Sequence, residues 1–229
     1  MKAKILEIFQ SIQGEGKYAG ASHVFVRFFE CNMHCVWCDT PHSIGDTTRH
    51  YKEYDVSQVI EQIESLGGRA HAVSLTGGEP LLQAAFIQAL LPQLKKNKRL
   101  SYLETNGTLP RELNEIIGGI DMIAMDIKLP SSTKCRAFWD EHKEFIKIGR
   151  AKDFFIKTVV SSETEKQDML RSIELVAGID PNILFIIQPN TYDLSNGVMK
   201  KCLDYYNDCT KHLTQVRIIP QMHKFMKLR

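Results

Sequence analysis

Three thiols fall within eight residues, in the run Cys31-Asn32-Met33-His34-Cys35-Val36-Trp37-Cys38. Structural zinc asks for four ligands, usually as two separated Cys pairs. His34 could be a fourth ligand on paper, but it sits between two Cys of a short run and would point away from them. A disulfide framework needs pairs and an oxidising compartment, and the chain carries no secretion signal. The remaining reading is an iron–sulfur cluster held at three of its irons, since electron carriers usually supply four Cys. One iron is then open to a ligand. Zinc and an inert surface cluster stay as alternatives.

The elements that must position these thiols follow from hydrophobic period and turn residues. A short strand at Ile5–Phe9 leads into Gln13-Gly14-Glu15-Gly16, a loop with glycines around a carboxylate that reads either as a β-turn or as a close approach to a ligand. A second strand, His23–Phe29, is apolar on both faces except at Arg27, whose guanidinium must pair with a protein carboxylate or with a bound anion. The cluster loop follows it directly. Asp55 caps a helix through Val59, Ile63 and Leu66 that stops at Gly67-Gly68. Ala72–Leu75 is then a strand entering Thr76-Gly77-Gly78-Glu79-Pro80, and a helix from Leu81 should kink or end at Pro92. Further strands are expected at 100–103, 122–124, 154–160, 183–187 and 216–219, with a capping box at Ser162–Glu165 opening one of the helices between them.

Strand–helix alternation of this kind argues for parallel strands joined by right-handed crossovers. About six such units, too few for a closed eightfold barrel, give an incomplete (β/α)6-type partial barrel spanning 1–229 as one domain. The polar residues Arg27, Thr76, Glu104, Asn106, Asp126, Lys128, Gln188 and His223 then gather at the C-terminal ends of the strands. Asp126 and Lys128 could also be a simple ion pair. Of the other cysteines, Cys135, Cys202 and Cys209 read as core or boundary residues, the last two on one helix face.

The 229 residues are 43% apolar with a net charge of +2. Such a balance gives no bulk attraction to nucleic acid or to an anionic membrane, so a small-molecule substrate is expected. The longest apolar run is Ile183–Ile187, which predicts neither a signal peptide nor a membrane span, and hence a cytoplasmic protein.

The Cys-x3-Cys-x-aromatic-Cys motif followed by Gly77-Gly78-Glu79-Pro80 resembles the radical S-adenosylmethionine (SAM) superfamily. The resemblance implies that the open iron of a [4Fe–4S] cluster chelates the amino and carboxylate groups of SAM, whose reductive cleavage yields a 5′-deoxyadenosyl radical. Four further details are similar to one family within it, 7-carboxy-7-deazaguanine synthase. They are Gln13-Gly14-Glu15-Gly16, Cys38-Asp39-Thr40, Glu104-Thr105-Asn106-Gly107 and Pro220-Gln221-Met222-His223-Lys224. That family converts 6-carboxy-5,6,7,8-tetrahydropterin to 7-carboxy-7-deazaguanine with loss of ammonia, a lyase step of queuosine and archaeosine biosynthesis.

By resemblance, Gln13, Gly14, Glu15, Arg27, Thr76 and His223 hold the pterin. Trp37, Gly77, Gly78, Glu79, Glu104, Asn106 and Lys128 surround SAM, and Thr40 is a ligand of Mg2+. No acidic cluster near the mouth is expected to cage that ion without substrate. The family also implies a flavodoxin- or ferredoxin-type electron donor and a homodimer. On cysteine spacing alone, a glycyl-radical activating enzyme or a plain electron carrier would remain, although neither needs the Gln-Gly-Glu-Gly loop or the Pro-Gln-x-His-Lys ending.

Overall fold

The computed structural model describes residues 1–45, 50–66 and 68–228. Its first half runs β1 (Lys2–Ile12), β2 (Ser22–Phe28), β3 (Lys52–Asp55), α1 (Val56–Ser65), β4 (Ala72–Gly77), α2 (Ala84–Lys96), β5 (Ser101–Thr105), α3 (Pro110–Ile116) and β6 (Met122–Asp126). There follow α4 (Pro130–Thr133), α5 (Trp139–Gly149), β7 (Asp153–Val160), α6 (Lys166–Ala177), β8 (Leu184–Pro189), α7 (Val198–Cys209), β9 (Val216–Ile218) and α8 (Met222–Met226).

Among the described residues the strands form one sheet in the order β3-β1-β2-β4-β5-β6-β7-β8-β9, which does not close on itself. From β2 to β9 each neighbour is parallel, as alternation with helices requires. The expectation of an all-parallel sheet fails at one edge, where β1 is antiparallel to both β2 and β3. The loop from β1 to β2 is too short for the crossover a parallel pair needs, so the chain turns back on itself.

Period-two alternation splits every strand between two environments. Outward residues such as Phe28, Leu75, Leu103, Ile123, Ile156 and Ile187 join the main core with Ile87, Leu90, Leu113, Ile146 and Ile173 from the helices. Inward residues make a smaller plug of Ala72, Tyr102, Met122, Ala124, Phe155, Leu184 and Ile186, with Tyr18 against it. The plug fills the lower part of the curved sheet and leaves the C-terminal ends of the strands open above it.

Local chemistry explains where the elements begin and end. Asp55 accepts from Gln58 N at 3.0 Å while Gln58 Oε1 accepts from Asp55 N at 2.9 Å, a reciprocal cap that starts α1. The expected stop at Gly67 lies outside the described residues. The capping box expected at Ser162–Glu165 is not formed. Glu165 is the N-cap of α6 without a side-chain bond, Ser162 N donates to Asp193 Oδ2, and Thr164 Oγ1 accepts from Ser161 N in a local turn. Pro92 does not end α2, which continues to Lys96. Phe86, Leu90, Leu91 and Leu94 bury one face across the proline, and this packing offsets the single backbone bond it removes.

Candidate functional site

The cluster loop leaves β2 through Glu30, which takes a positive φ of 80°. That conformation lets the chain turn off the strand, and Lys4 Nζ holds the Glu30 carboxylate at 2.7 Å. Cys31, Cys35 and Cys38 follow, all free thiols and all lining one cavity of about 220 Å3. Burial pushes the Cys31 thiol up to about 11 and the Cys35 thiol to about 12, with Cys135 adding to the latter. The loop is anchored by Val36 N donating to Thr133 O at 3.2 Å and by the Trp37 indole N–H donating to Ser132 O at 2.8 Å.

Gly77 and Gly78 lie over the end of β2. A Cβ on Gly77 would sit 2.1 Å from Phe28 O, and one on Gly78 would sit 2.1 Å from Glu30 O. Glycine is therefore demanded by the crossing of two protein backbones, before any ligand is considered. Glu79 is fully buried and does not line the cavity. It accepts from Asn106 N at 2.8 Å, Thr105 Oγ1 at 2.9 Å and Leu81 N at 3.1 Å, and so joins the ends of two strands. Burial is the main reason its carboxyl is raised to about 7.

Alternation brings Arg27, Thr76, Glu104, Asp126, Lys157 and Gln188 to the inner face above the plug, where all line the cavity. Glu104, expected near SAM, accepts from Gln13 Nε2 at 2.5 Å and from Thr76 Oγ1 at 2.7 Å. It belongs to the same group as two residues expected to hold pterin, and burial together with the nearby Glu15 raises its carboxyl. Asn106 donates to Asn32 Oδ1 in the cluster loop at 2.8 Å. Lys128 Nζ is 2.8 Å from Asp126 Oδ2 and stands 4.9 Å from the Trp37 ring centre, so one face of the indole already meets a cation.

Glu15 is paired on both oxygens, with Lys157 Nζ at 2.6 Å on Oε2 and Gln221 Nε2 at 2.7 Å on Oε1. Burial alone would raise its carboxyl, but the Lys157 charge and hydrogen bond, with the Gln221 bond, bring it down to about 2. Lys157 also reaches Asp126 Oδ2 at 3.2 Å. His223 packs over Gly14, where a Cβ would meet its ring at 2.1 Å. Arg27 uses its Nε on Glu7 Oε1 at 2.8 Å and lies over the Phe9 ring, while also lining the cavity. Arg27 thus has a protein carboxylate on its Nε while its side chain also lines the cavity.

Thr40 lines the cavity with its Oγ1 3.9 Å from Cys38 Sγ, and its side chain caps no backbone N–H of the turn that follows but accepts from Ser43 Oγ there at 3.5 Å. Contrary to expectation, an acidic cluster does lie at the mouth. Ligand atoms of Glu15, Asp39 and His223 come within 4.8 Å of one another. Its carboxylates are already engaged, Asp39 by Gln221 at 3.2 Å and by Lys224 at 3.6 Å. Lys157 was not singled out from sequence, and Asp39 and Gln221 entered only as members of the Cys38-Asp39-Thr40 and Pro220–Lys224 motifs, without a site role. Period two on the strand Phe154–Val160 places Lys157 on the inner face beside Phe155, which was the signal available.

Residues 26–176 match the radical SAM superfamily. A 7-carboxy-7-deazaguanine synthase of Geobacter sulfurreducens is 37% identical over 98% of this chain and 97% of its own. The chain belongs to the 7-carboxy-7-deazaguanine synthase family. A second such synthase, from Archaeoglobus fulgidus, is 30% identical over the full length of both chains. The crystal structure of QueE from Escherichia coli has the same fold, with a TM-score of 0.70 over 97% of this chain and 95% of that one at 22% identity. Family membership brings a [4Fe–4S] cluster and SAM, and it leaves the glycyl-radical activating enzyme and the electron carrier without support.

The residues present fit both groups. The three thiols share one loop and one cavity, with one ligand fewer than a closed four-Cys site. Asp126 Oδ1 on β6 and Gln188 Oε1 on β8 are buried in the cavity lining with no hydrogen-bond partner among the described residues. Buried acceptors left unpaired are costly, and donors on a bound ligand would satisfy them. No helix among the described residues is long and apolar enough to cross a membrane.

Proposed function

We propose that the protein is a lyase converting 6-carboxy-5,6,7,8-tetrahydropterin to 7-carboxy-7-deazaguanine with release of ammonia, in deazapurine biosynthesis. The observation that carries the reading is the single cavity in which the thiol loop faces a wall of prearranged carboxylates, amides and cations. Together the cluster and SAM supply a strong hydrogen-atom acceptor. The chain's own part is to hold the pterin against it in one orientation and to exclude water.

In this reading Arg27, fixed at Nε by Glu7, offers its terminal guanidinium nitrogens to the substrate carboxylate. Glu15, held ionised, accepts from the guanidine edge of the pterin, and Gln13, Thr76 and Glu104 form a linked donor–acceptor row beside it. The Gly14 backbone and His223 close the mouth above. SAM lies along Gly77, Gly78, Trp37, Asn106 and Lys128, with Cys31, Cys35 and Cys38 on the cluster.

Thr40 is the protein ligand proposed for Mg2+, with the substrate carboxylate and water completing six oxygens. Mg2+ affinity should then rise sharply once substrate is present, and Thr40→Val should lose the Mg2+ dependence of turnover. Equal affinity with and without substrate would remove Thr40 from the metal. A flavodoxin- or ferredoxin-type donor, a homodimer and a cytoplasmic location complete the proposal.

The deciding experiment is anaerobic turnover of the reconstituted protein with SAM, dithionite and the carboxypterin. Formation of the deazaguanine acid and ammonia is expected. SAM cleavage that proceeds without converting the pterin would reject the substrate while keeping the superfamily chemistry.

A further inference from the structure

We propose that Lys157 is a positioning residue of the pterin pocket, whose ammonium aims the Glu15 carboxylate and ties it to Asp126, its cross-strand neighbour on β6. The inference rests on the reading that Glu15 faces the pterin. Lys157 lies on β7 one inward position above Phe155, which is fully buried and packs where a Cβ on Gly16 would lie, 2.5 Å from its ring. Its side chain is only 14% exposed. A cation buried to that degree must be paired, and here it lies between two carboxylates supplied by separate elements, Glu15 from the first loop and Asp126 from β6.

The surrounding charges leave no ready substitute. Arg27 is directed to Glu7 and Lys128 to the same Asp126 oxygen, while Glu104 adds a third carboxyl to the wall. Without Lys157, three carboxyls would share a buried wall, and Glu15 would lose the ionic partner that opposes the effect of burial. With it, each Glu15 oxygen accepts one protein hydrogen bond, from Lys157 or from Gln221. A carboxylate has about four acceptor positions, so one remains on each oxygen. Two fixed, adjacent acceptors suit two adjacent N–H donors, the pattern of a 2-amino-4-oxo pterin edge. Lys157 thereby selects that edge through Glu15 without touching the substrate itself.

The test compares Lys157→Met, Lys157→Arg, Glu15→Gln and the Glu15→Gln/Lys157→Met double variant as anaerobically reconstituted holoenzymes, each with its iron content measured. Lys157→Met should raise KM for the carboxypterin roughly tenfold or more, the scale of one charged hydrogen bond, with a smaller change in kcat. Lys157→Arg should recover most of that loss. The double variant should be no worse than Glu15→Gln, because the charge that Lys157 serves has already gone. Multiplying effects in the double variant, or an arginine variant as poor as methionine, would assign Lys157 a purely structural role and overturn the proposal. Unchanged KM in Glu15→Gln would instead overturn the reading of Glu15. If Lys157→Met does not load iron, Lys157→Gln takes its place, and failure of both to load also counts against the proposal.

Discussion

On the side of the cavity proposed for the pterin the charged and amide groups are bonded to one another, Gln13 to Glu104, Thr76 to Glu104, Glu15 to Lys157 and Gln221. On the side of the thiol loop Cys31, Cys35 and Cys38 are free thiols, and elsewhere in the cavity lining Asp126 Oδ1 and Gln188 Oε1 have no partner among the described residues. The first wall is arranged before any ligand arrives and loses little ordering entropy on binding. The second is completed by what it binds. Burial keeps the Cys31 and Cys35 thiols protonated at neutral pH, so assembly of the cluster must drive off their protons. A prearranged wall should respond to mutation in substrate affinity, whereas the other should respond in cofactor content.

The largest effect is expected at the thiols. Replacing Cys31, Cys35 or Cys38 by Ala should abolish the iron chromophore and all SAM cleavage, read by iron analysis and visible absorption. A variant that kept its iron on Cys135, which lies near Cys35, would break the contrast, because the cofactor wall would then hold a spare ligand.

Arg27→Lys probes the prearranged wall. Lysine keeps the charge but loses the planar fork that meets Glu7 and a carboxylate together. Pterin binding should weaken by about 1.5–3 kcal/mol by calorimetry, the scale of a charged hydrogen bond, with iron content unchanged. A variant that bound normally but melted far lower would show that Arg27 serves only the Glu7 ion pair.

A smaller effect sharpens the contrast behind the cofactor wall, where His142 is fully buried with Nε2 3.1 Å from Asn106 O. Burial pushes this imidazole down to about 4. Because the folded value lies below the unfolded one, the unfolded chain takes up the proton first, and stability is lost as pH falls from about 6.5 toward 4. Glu79 slopes the other way, since its raised carboxyl favours the folded state at low pH and loses that contribution as pH rises through about 7. His142→Leu should flatten the acid-side slope of denaturant-measured stability by about 1.4 kcal/mol per pH unit. An unchanged slope would mean that His142 is not buried as a neutral ring.

By itself the sequence determined the thiol loop, the parallel strand–helix units from β2 onward, and the gathering of polar residues at one sheet edge. These follow from spacing and period, which are local properties of the chain. It also carried family membership, because Gln13-Gly14-Glu15-Gly16 and the Pro220 to Lys224 ending are distinctive in type and order. Only the tertiary structure decided how the polar residues pair. Glu104 joins Gln13 and Thr76 across a separation of 91 residues to Gln13, and Lys157 joins Glu15 across 142. Such bonds depend on register between distant strands, and spacing along the chain carries no trace of it. The same holds for the antiparallel edge, for the continuation of α2 past Pro92, and for Gly77 and Gly78, whose missing side chains are required by the neighbouring backbone at the end of β2.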